Sequence, residues 1–298
     1  MCTGRPDVMK TDDSIAARLL GGRDRRWLLG WIAAVGGLGI WDSLFLNRPA
    51  FNRIIEGFLN TFAIALLVVL FTLIFAWAAT LTFHRLEQAR NRTGFYILSF
   101  LLNLIRSIPQ IVGILFGYIG IAAMVTAEII TGKTAVFLLM AVCMSFFIML
   151  EVVDLLRERI DHYTKLDFFN ALRVCGVSQW RIINFDILWK NSRIHILNKL
   201  ISVFGSAVFL QCSVDFIISV GLSSDVNAVT LPTTLGSLLA KMDSKQDILA
   251  IGNTLTNITY LPALFFQHLQ GITVAFLIVI TLLAVYQISC GYAERHRL

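Results

Sequence analysis

One stretch of the chain has the residue types and spacing of a phosphate-binding loop. Ala127 to Thr134 reads Ala-x-x-x-x-Gly-Lys-Thr, in which the Lys and Thr would contact phosphate and Mg²⁺. That chemistry requires a strand before the loop, a helix after it and backbone N–H groups free to surround the phosphate. The first Gly is missing, and the stretch lies in a short turn between two apolar segments. We therefore expect no nucleotide binding by this chain.

Catalytic and metal-binding patterns are absent from the sequence. There is no Gly-x-Ser-x-Gly or His-Glu-x-x-His motif, the histidines lack ligand spacing, and the cysteines form no Cys-x-x-Cys pair. These residues are His84, His162, His195, His268, His296, Cys2, Cys143, Cys175, Cys212 and Cys290. We expect the cysteines to be small buried hydrophobic residues. The chain is expected to have no catalytic residues, no metal site and no bound cofactor of its own.

Four ionisable residues lie inside or beside apolar segments, where a charge is costly. Asp215 either lines a polar pathway or pairs with a Lys or Arg of a neighbouring helix. Arg106 precedes the break at Pro109, and it either extends its charged group from an interface or takes part in the pathway. Glu151 and Asp154 lie three residues apart on one helix face, where we expect solvation or contact with a nearby loop. Asp215 and Arg106 are the candidate pathway residues.

The elements that must position these residues are apolar helices. Of 298 residues, 57% are hydrophobic and 15% are charged, whereas soluble domains carry about 25% charged residues. This composition excludes disordered, collagen-like and disulfide-scaffold classes. A bilayer core requires about 20 apolar residues per helix. Six segments meet that length: Trp27–Leu46, Phe58–Phe83, Phe95–Met124, Thr134–Leu156, Leu200–Leu222 and Gly271–Gly291. We predict an all-α polytopic membrane protein with six transmembrane helices.

Three features of these segments carry further predictions. The third is interrupted by Arg106-Ser107-Ile108-Pro109, so it must tilt, bend or leave the hydrocarbon in part. Ile248–Gln270 is apolar but rich in Asn and Gln, and we interpret it as an interfacial or re-entrant segment on the outer side. Gly113-x-x-x-Gly117 would let two helices approach closely, either within the chain or in a dimer.

The distribution of basic residues predicts the orientation. The net charge is +6, which could also indicate nucleic-acid binding, but the basic residues form no single patch. With the N-terminus inside, the inner segments hold nineteen Lys and Arg residues and the outer segments hold five. This asymmetry follows the positive-inside rule and favours six spans with both ends cytoplasmic. We expect no nucleic-acid partner.

The longest inner loop, residues 157–199, has a helical pattern. Apolar residues recur at intervals of three and four before Gly176, and the pattern resumes at Trp180. Gly176 is a good helix stop and Ser178 a fair N-cap for the next helix. The pattern predicts a helix, a Gly-centred turn and a second helix. It fits either an amphipathic element on the inner leaflet or a docking element for a soluble partner.

The sequence of this loop resembles the "EAA" loop of permease subunits of ATP-binding-cassette importers. Residues 170–183 read Asn-Ala-Leu-Arg-Val-Cys-Gly-Val-Ser-Gln-Trp-Arg-Ile-Ile, and Ile187-Leu188 follows. Ala171, Gly176 and Leu188 match the family pattern, whereas Asn170, Leu172 and Trp189 stand where it has Glu, Ala and Pro. The resemblance extends from Ile54 to Tyr292. Residues 213–239 look most like the branch that imports peptides and nickel.

The resemblance implies a type I importer permease and its partners. These are two ATPase subunits that bind ATP and Mg²⁺, a second permease expected to be a distinct homologue, and an external substrate-binding protein. The substrate would be a peptide, a peptide-like solute or a metal chelate. The implied ATPase-coupling residues are Asn170, Ala171, Leu172, Gly176, Val177, Ser178 and Trp180. A secondary transporter and a non-transporting scaffold subunit are the alternatives; the first would require an inverted repeat, and we see none.

The apolar segments, the charge distribution and the resemblance together predict the domain layout and the location. Residues 1–26 form a cytoplasmic tail, 27–57 the first transmembrane helix and an outer linker, and 293–298 a second cytoplasmic tail. Residues 58–292 form the permease transmembrane domain, with the coupling loop at 157–199 and the outer re-entrant or interfacial segment at 223–270. The location expected for such a chain is the inner membrane of a bacterial cell.

Overall fold

The computed structural model describes residues 22–88, 92–130, 132–221, 231–240, 252–262 and 269–296. Within these ranges the chain is helical and contains no strand. The longer helices are α1 (Arg23–Phe45), α2 (Arg48–Gln88), α3 (Arg92–Ser107), α4 (Gln110–Thr126), α5 (Lys133–Thr164), α8 (Arg193–Gly221) and α10 (Leu269–His296). The shorter elements are α6 (Asp167–Val174), α7 (Gln179–Arg181), the π-helix π1 (Ile182–Asn191), α9 (Leu235–Ala240) and a 3₁₀ turn (Ile258–Tyr260).

Five of the described helices are long and apolar enough to cross a membrane: α1, α2, α5, α8 and α10. The pair α3 and α4 passes the same test together, bent by 93°. Large apolar side chains are exposed on these helices, Leu66, Leu70 and Ile74 of α2 among them. Lipid is the solvent that such surfaces require. The chain is therefore an all-α polytopic membrane protein, as predicted, and the described residues contain five spans, or six if the bent pair is one.

Helices α1 and α10 are antiparallel neighbours. At one end Arg295 is ion-paired with Asp24, and at the other the Thr273 hydroxyl donates to Asp42 Oδ1 at 2.8 Å. The first described residues of α1 and the last of α10 therefore lie at the same end of the bundle. An even number of crossings between them, as in the six-span prediction, requires this arrangement.

The loop between α5 and α8 lies at that same end. The Ser289 hydroxyl of α10 donates to Asn198 Oδ1 of α8 at 3.0 Å, close to the residue at which α8 begins. We call this end of the bundle the loop end. The opposite end, at which α1 ends and α2 begins, is called the α9 end because α9 packs there against α2 and α8.

The predicted break in the third segment is confirmed. Helix α3 ends at Ser107 and α4 begins at Gln110, directly after Pro109. A Cβ on Gly113 would meet the Phe147 ring of α5, and one on Gly117 would meet the Cys143 sulfur. The two glycines thus let α4 pack closely against α5 within the chain, which is one of the two roles considered for them.

Several predictions concern residues outside or at the edge of the described ranges. Of Ile248–Gln270, the structure describes 252–262, with a helical turn at 252–256 and the 3₁₀ turn, and the first two residues of α10. No helix of spanning length occurs in that described part. The tail 1–26 is described only from residue 22, and the tail 293–298 only to residue 296. Segment 223–270 is described at 231–240, 252–262 and 269–270.

Candidate functional site

The loop at the loop end has the predicted architecture. Helix α6 is followed by a turn at Gly176, and α7 and π1 then lead into α8. The second helix differs from the prediction because most of it is π-helical. Such wide helical turns are rare and frequently occur at functional sites. Ile182, Ile183 and Ile187 of π1 are completely buried, so the widened helix is packed into the core.

Gly176 occupies the left-handed position that ends α6. Its φ is +80°, and its N–H donates to the Arg173 carbonyl at 3.0 Å. The Val177 N–H donates to the Leu172 carbonyl at 3.1 Å. These two bonds form a Schellman motif, in which C′ is favoured to be Gly because a Cβ is strained at positive φ. No described atom lies within 4 Å of a Cβ built at Gly176, so the constraint is conformational and not steric.

The loop presents an exposed surface that includes apolar residues. Val174 is 89% exposed and Phe168 is 40% exposed, whereas Phe169 of the same helix is buried. Most of the predicted coupling residues are exposed, namely Asn170, Ala171, Gly176, Ser178 and Trp180. The other two, Leu172 and Val177, are half-buried. Ser178 is the N-cap residue of α7, as predicted, but its side chain makes no capping hydrogen bond within the described structure.

Two contacts attach the loop to α2. The Arg85 guanidinium lies 3.8 Å from the centre of the Trp180 ring, which is a cation–π geometry. The Trp77 indole N–H donates to Asn184 Oδ1 of π1 at 2.8 Å. Trp180, one of the coupling residues that the resemblance implies, thus lies against an arginine of α2.

The acidic residues of α5 form ion pairs near the loop end. Arg106 Nη2 lies 2.7 Å from both carboxylate oxygens of Asp154, and Lys199 Nζ lies 2.7 Å from Glu151 Oε2. The Arg106 and Asp154 side chains are more than half exposed. These pairs join α3 and α8 to α5. Arg106 is thus bound to Asp154 of α5 with both side chains open to solvent, and Glu151 contacts α8.

Asp215 lies at the opposite end in a buried polar cluster. Its side chain is 5% exposed, and its Oδ2 accepts a 2.6 Å hydrogen bond from the Thr234 hydroxyl. Within the described part of the chain, no Lys or Arg lies within ion-pairing distance of Asp215. The predicted pairing of Asp215 with a basic residue is therefore not found among these residues, and its partner is the hydroxyl of Thr234, which directly precedes α9.

Thr234 also caps the start of α9 through reciprocal hydrogen bonds with Ser237. Its N–H donates to Ser237 Oγ at 2.9 Å, and the Ser237 N–H donates to Thr234 Oγ1 at 3.3 Å. The next residue is held from α2, because the Leu235 N–H donates to Thr61 Oγ1 at 2.9 Å. Asn60 Nδ2 donates to the Thr233 carbonyl at 2.8 Å. A Thr-x-x-Ser pattern resembling a capping box was present in the sequence and could have indicated this helix start.

Close packing completes the attachment of α9. A Cβ built on Gly236 would lie 2.7 Å from Cys212 Cα of α8, and one on Gly57 of α2 would lie 2.7 Å from Leu238 Cδ1. The first of these neighbours is backbone, which cannot yield as a side-chain end can. Gly236 is therefore a position at which α9 and α8 approach too closely for any side chain.

Gln211 is a buried residue that sequence reasoning missed. It precedes Asp215 by one helical turn on α8, its exposure is 0%, and neither its Nε2 nor its Oε1 has a hydrogen-bond partner among the described residues. A buried amide without partners costs about 1–3 kcal/mol. No motif marks such a residue, because the pattern of apolar residues does not show whether a polar group finds a partner.

The phosphate-loop-like stretch has the wrong structural context. Helix α4 precedes it instead of a strand, and Lys133 already begins α5. The described residues contain no group of three or more His, Cys, Asp or Glu side chains that could hold a metal ion.

The comparisons with known proteins add no relative. No protein-family model matches the chain, and no curated protein matches it. The fold defines the class of the protein as an all-α membrane protein with several spans, and two candidate sites lie at its opposite ends.

Proposed function

We propose that this chain is the permease subunit of an ATP-driven importer of the ATP-binding-cassette class. The observation that carries the proposal is the loop between α5 and α8, a short helix capped at positive φ by Gly176 and exposed at the end of the bundle. Its sequence resembles the element by which such permeases contact their ATPases. Both flanking spans continue into this loop with few intervening residues. Helix α6 begins at Asp167 shortly after α5 ends at Thr164, and π1 ends at Asn191 shortly before α8 begins at Arg193.

The exposed surface of α6 supports a soluble partner. Val174 and Phe168 place apolar area in water beside the polar Asn170 and Ser178. Exposed apolar area of this kind, flanked by polar residues, is typical of an interaction site. In the proposed assembly the partner is one of two ATPase subunits, which supply the ATP and Mg²⁺ chemistry that this chain does not perform.

The proposed mechanism transmits ATPase closure through rigid helices. When the two ATPases close on ATP, α6 moves with its ATPase. Helix α5 tilts because only Lys165 and Leu166 separate it from α6, and α8 tilts because α7 and π1 connect it to the same loop. Helix α8 carries Asp215 and Gln211 at its far end, where α9 lies. The movement changes the exposure of this cluster, and the cavity between two permeases opens on the outer side. ATP thus biases a two-state element at a distance.

The proposed placement follows the charge distribution. The loop end is cytoplasmic, with both termini, in the inner membrane of a bacterial cell, and the α9 end faces a substrate-binding protein. A second permease, a distinct homologue, completes the pathway. Asp215 faces that pathway near its outer end, and Arg106 faces its inner mouth. The substrate class is a peptide, a peptide-like solute or a metal chelate, from the branch that residues 213–239 resemble.

The first test is co-purification of the full membrane complex. We expect two ATPase subunits and a second permease to be recovered with the chain. A secondary transporter would be recovered without ATPases and would catalyse uptake without ATP. A scaffold subunit would give no uptake in reconstituted vesicles.

The second test compares two substitutions of Gly176, Leu and Asn, whose side chains have a similar size. Leu is strained at a φ of +80°, whereas Asn tolerates the left-handed region. We expect Gly176→Leu to insert normally but to lower ATPase recovery and ATP-dependent uptake severalfold, and Gly176→Asn to retain most of both. If the loop only lies on the membrane, Gly176→Leu would leave ATPase recovery unchanged. Equal recovery and equal uptake in the two variants would contradict the proposal.

A further inference from the structure

Helix α3 has three distinct faces. One face packs into the core with Phe95, Leu98, Leu102 and Ile105. A second face is polar and comprises Ser99, Asn103 and Arg106. The third face is apolar and exposed, and it comprises Tyr96, Ile97, Phe100, Leu101 and Leu104. At 100° per residue these five side chains form one continuous stripe along the helix. We call it the outer stripe.

The orientation of α3 follows from its neighbours. Helix α4 packs along α5 and therefore runs in the direction of the spans, and α3 makes an angle of 93° with α4. Helix α3 thus lies across the bundle, in the plane of the membrane. Its Phe95 ring is 4.6 Å from the Phe83 ring near the end of α2, and Arg106 pairs with Asp154. Both contacts place α3 at the loop end.

The polar face gives the direction of water. Ser99, Asn103 and Arg106 line a cavity of about 140 Å³ between α3 and α5, whose wall also includes apolar residues such as Leu102 and Leu150. The Arg106 and Asp154 side chains at this cavity are more than half exposed, so the polar face is open to water there. From the helical angles, the outer stripe is turned by about a third of a circle from this polar face and by a similar angle from the core face. A helix in the membrane plane with one face on protein and one on water turns its third face toward the hydrocarbon.

We propose that α3 is an in-plane helix whose outer stripe is inserted among the acyl chains of the leaflet at the loop end. The adjoining helix α4 also exposes large apolar side chains, Val112 and Phe116. Tyr96, at the start of the stripe, is a residue type that concentrates at membrane interfaces. Phe100, at 66%, is the most exposed side chain of the outer stripe. This inference does not depend on the proposed transport function.

The test measures the surroundings of two positions on α3. A nitroxide label is placed at Phe100→Cys in the outer stripe or at Asn103→Cys in the polar face, in a full-length chain whose Cys2, Cys175 and Cys290 are replaced by Ser. The complex is reconstituted in vesicles of phosphatidylethanolamine and phosphatidylglycerol. Collisions with oxygen, which concentrates in lipid, are compared with collisions with a water-soluble nickel chelate.

We expect the ratio of oxygen to nickel collisions to be severalfold higher at position 100 than at position 103. Equal nickel accessibility at the two positions would overturn the proposal, because the stripe would then face water. Low accessibility to both reagents at position 100 would also overturn it, because a second copy or another subunit would then cover the stripe. Ile97→Cys and Leu104→Cys, also in the outer stripe, repeat the measurement if the label at position 100 prevents assembly.

Discussion

The two ends of the bundle hold their polar groups in different ways. At the loop end several of the partners are formal charges, and in the Arg106–Asp154 pair both side chains remain more than half exposed, although Asp24 of the Arg295–Asp24 pair is buried. At the α9 end the partners are mostly hydroxyl and backbone groups that are almost fully buried around Asp215. Exposed ion pairs contribute little to stability, whereas buried hydrogen bonds are costly to break. The Arg106–Asp154 pair can therefore exchange partners at little cost, whereas the contacts around Asp215 are costly to break.

The largest loss of stability is expected from a substitution at the contact between α9 and α8. Gly236→Ala places a Cβ against the Cys212 backbone, and we expect a loss of about 3 kcal/mol in the free energy of unfolding. Thermal unfolding of the purified protein in lipid nanodiscs measures the change. Gly120→Ala in α4 is the matched control, since no described atom lies within 4 Å of its Cβ and Ala favours a helix. Equal stability of the two variants would show that α9 is not tightly packed.

The next effect is expected from the hydroxyl that joins Asp215 to α9. Thr234→Val keeps the shape but leaves Asp215 Oδ2 and the Ser237 N–H without this partner, and we expect a loss of about 2 kcal/mol. Thr82→Val is the control, because that hydroxyl is exposed and bonds only to the Ala78 carbonyl of its own helix. A Thr234→Val protein as stable as the control would remove the distinction between the two ends.

A substitution of Gln211 is expected to increase the free energy of unfolding, in contrast to the two losses above. Gln211→Leu removes an amide that has no hydrogen-bond partner among the described residues and keeps most of the volume, so we expect stability to increase by about 1 kcal/mol. If Gln211 faces the transport pathway in another state, uptake falls while stability rises. A loss of stability would instead show that the Gln211 amide is hydrogen-bonded in the native protein. The buried polar side chains discussed at the α9 end would then all have hydrogen-bond partners.

The smallest effect is expected at the loop end. Asp154→Asn removes the charge that faces Arg106, and we expect a loss below about 1 kcal/mol because both side chains are more than half exposed. Raising the salt concentration should reduce the difference between wild type and variant further. A loss as large as that of Thr234→Val would mean that this pair is shielded from water in the assembled protein.

Sequence reasoning predicted the structural features that depend on the local pattern of residues. The spans follow from runs of apolar residues, the break follows from Pro109, and the turn follows from Gly176, since each signal lies within a few residues. The contacts at the α9 end join distant parts of the chain; Asn60 and Thr233 are 173 residues apart. Composition and periodicity predict which groups are buried but not which of them meet. The partner of Asp215 and the isolation of Gln211 therefore required the structure.

The π-helical winding of π1 was also not predictable. Its apolar residues are spaced as in an ordinary helix, and the extra residue per turn is set by packing of Ile183 and Ile187 into the core. The same limit applies to α3. The sequence gives an apolar run with a break, whereas the right angle at that break comes from the packing of α3 on α2 and α5.

Helix α2 makes the two ends mechanically dependent on each other. It runs without interruption through 41 residues, with Asn60 and Thr61 bound to the α9 region and Trp77 and Arg85 bound to the loop. The distance along the helix from Asn60 to Arg85 is about 37 Å, so a tilt of about 5° at one end moves the other by about 3 Å. That displacement equals the length of a hydrogen bond. Helix α2 thus connects the two ends rigidly, and a tilt that begins at the loop end displaces the buried contacts that Asn60 and Thr61 make with the α9 region.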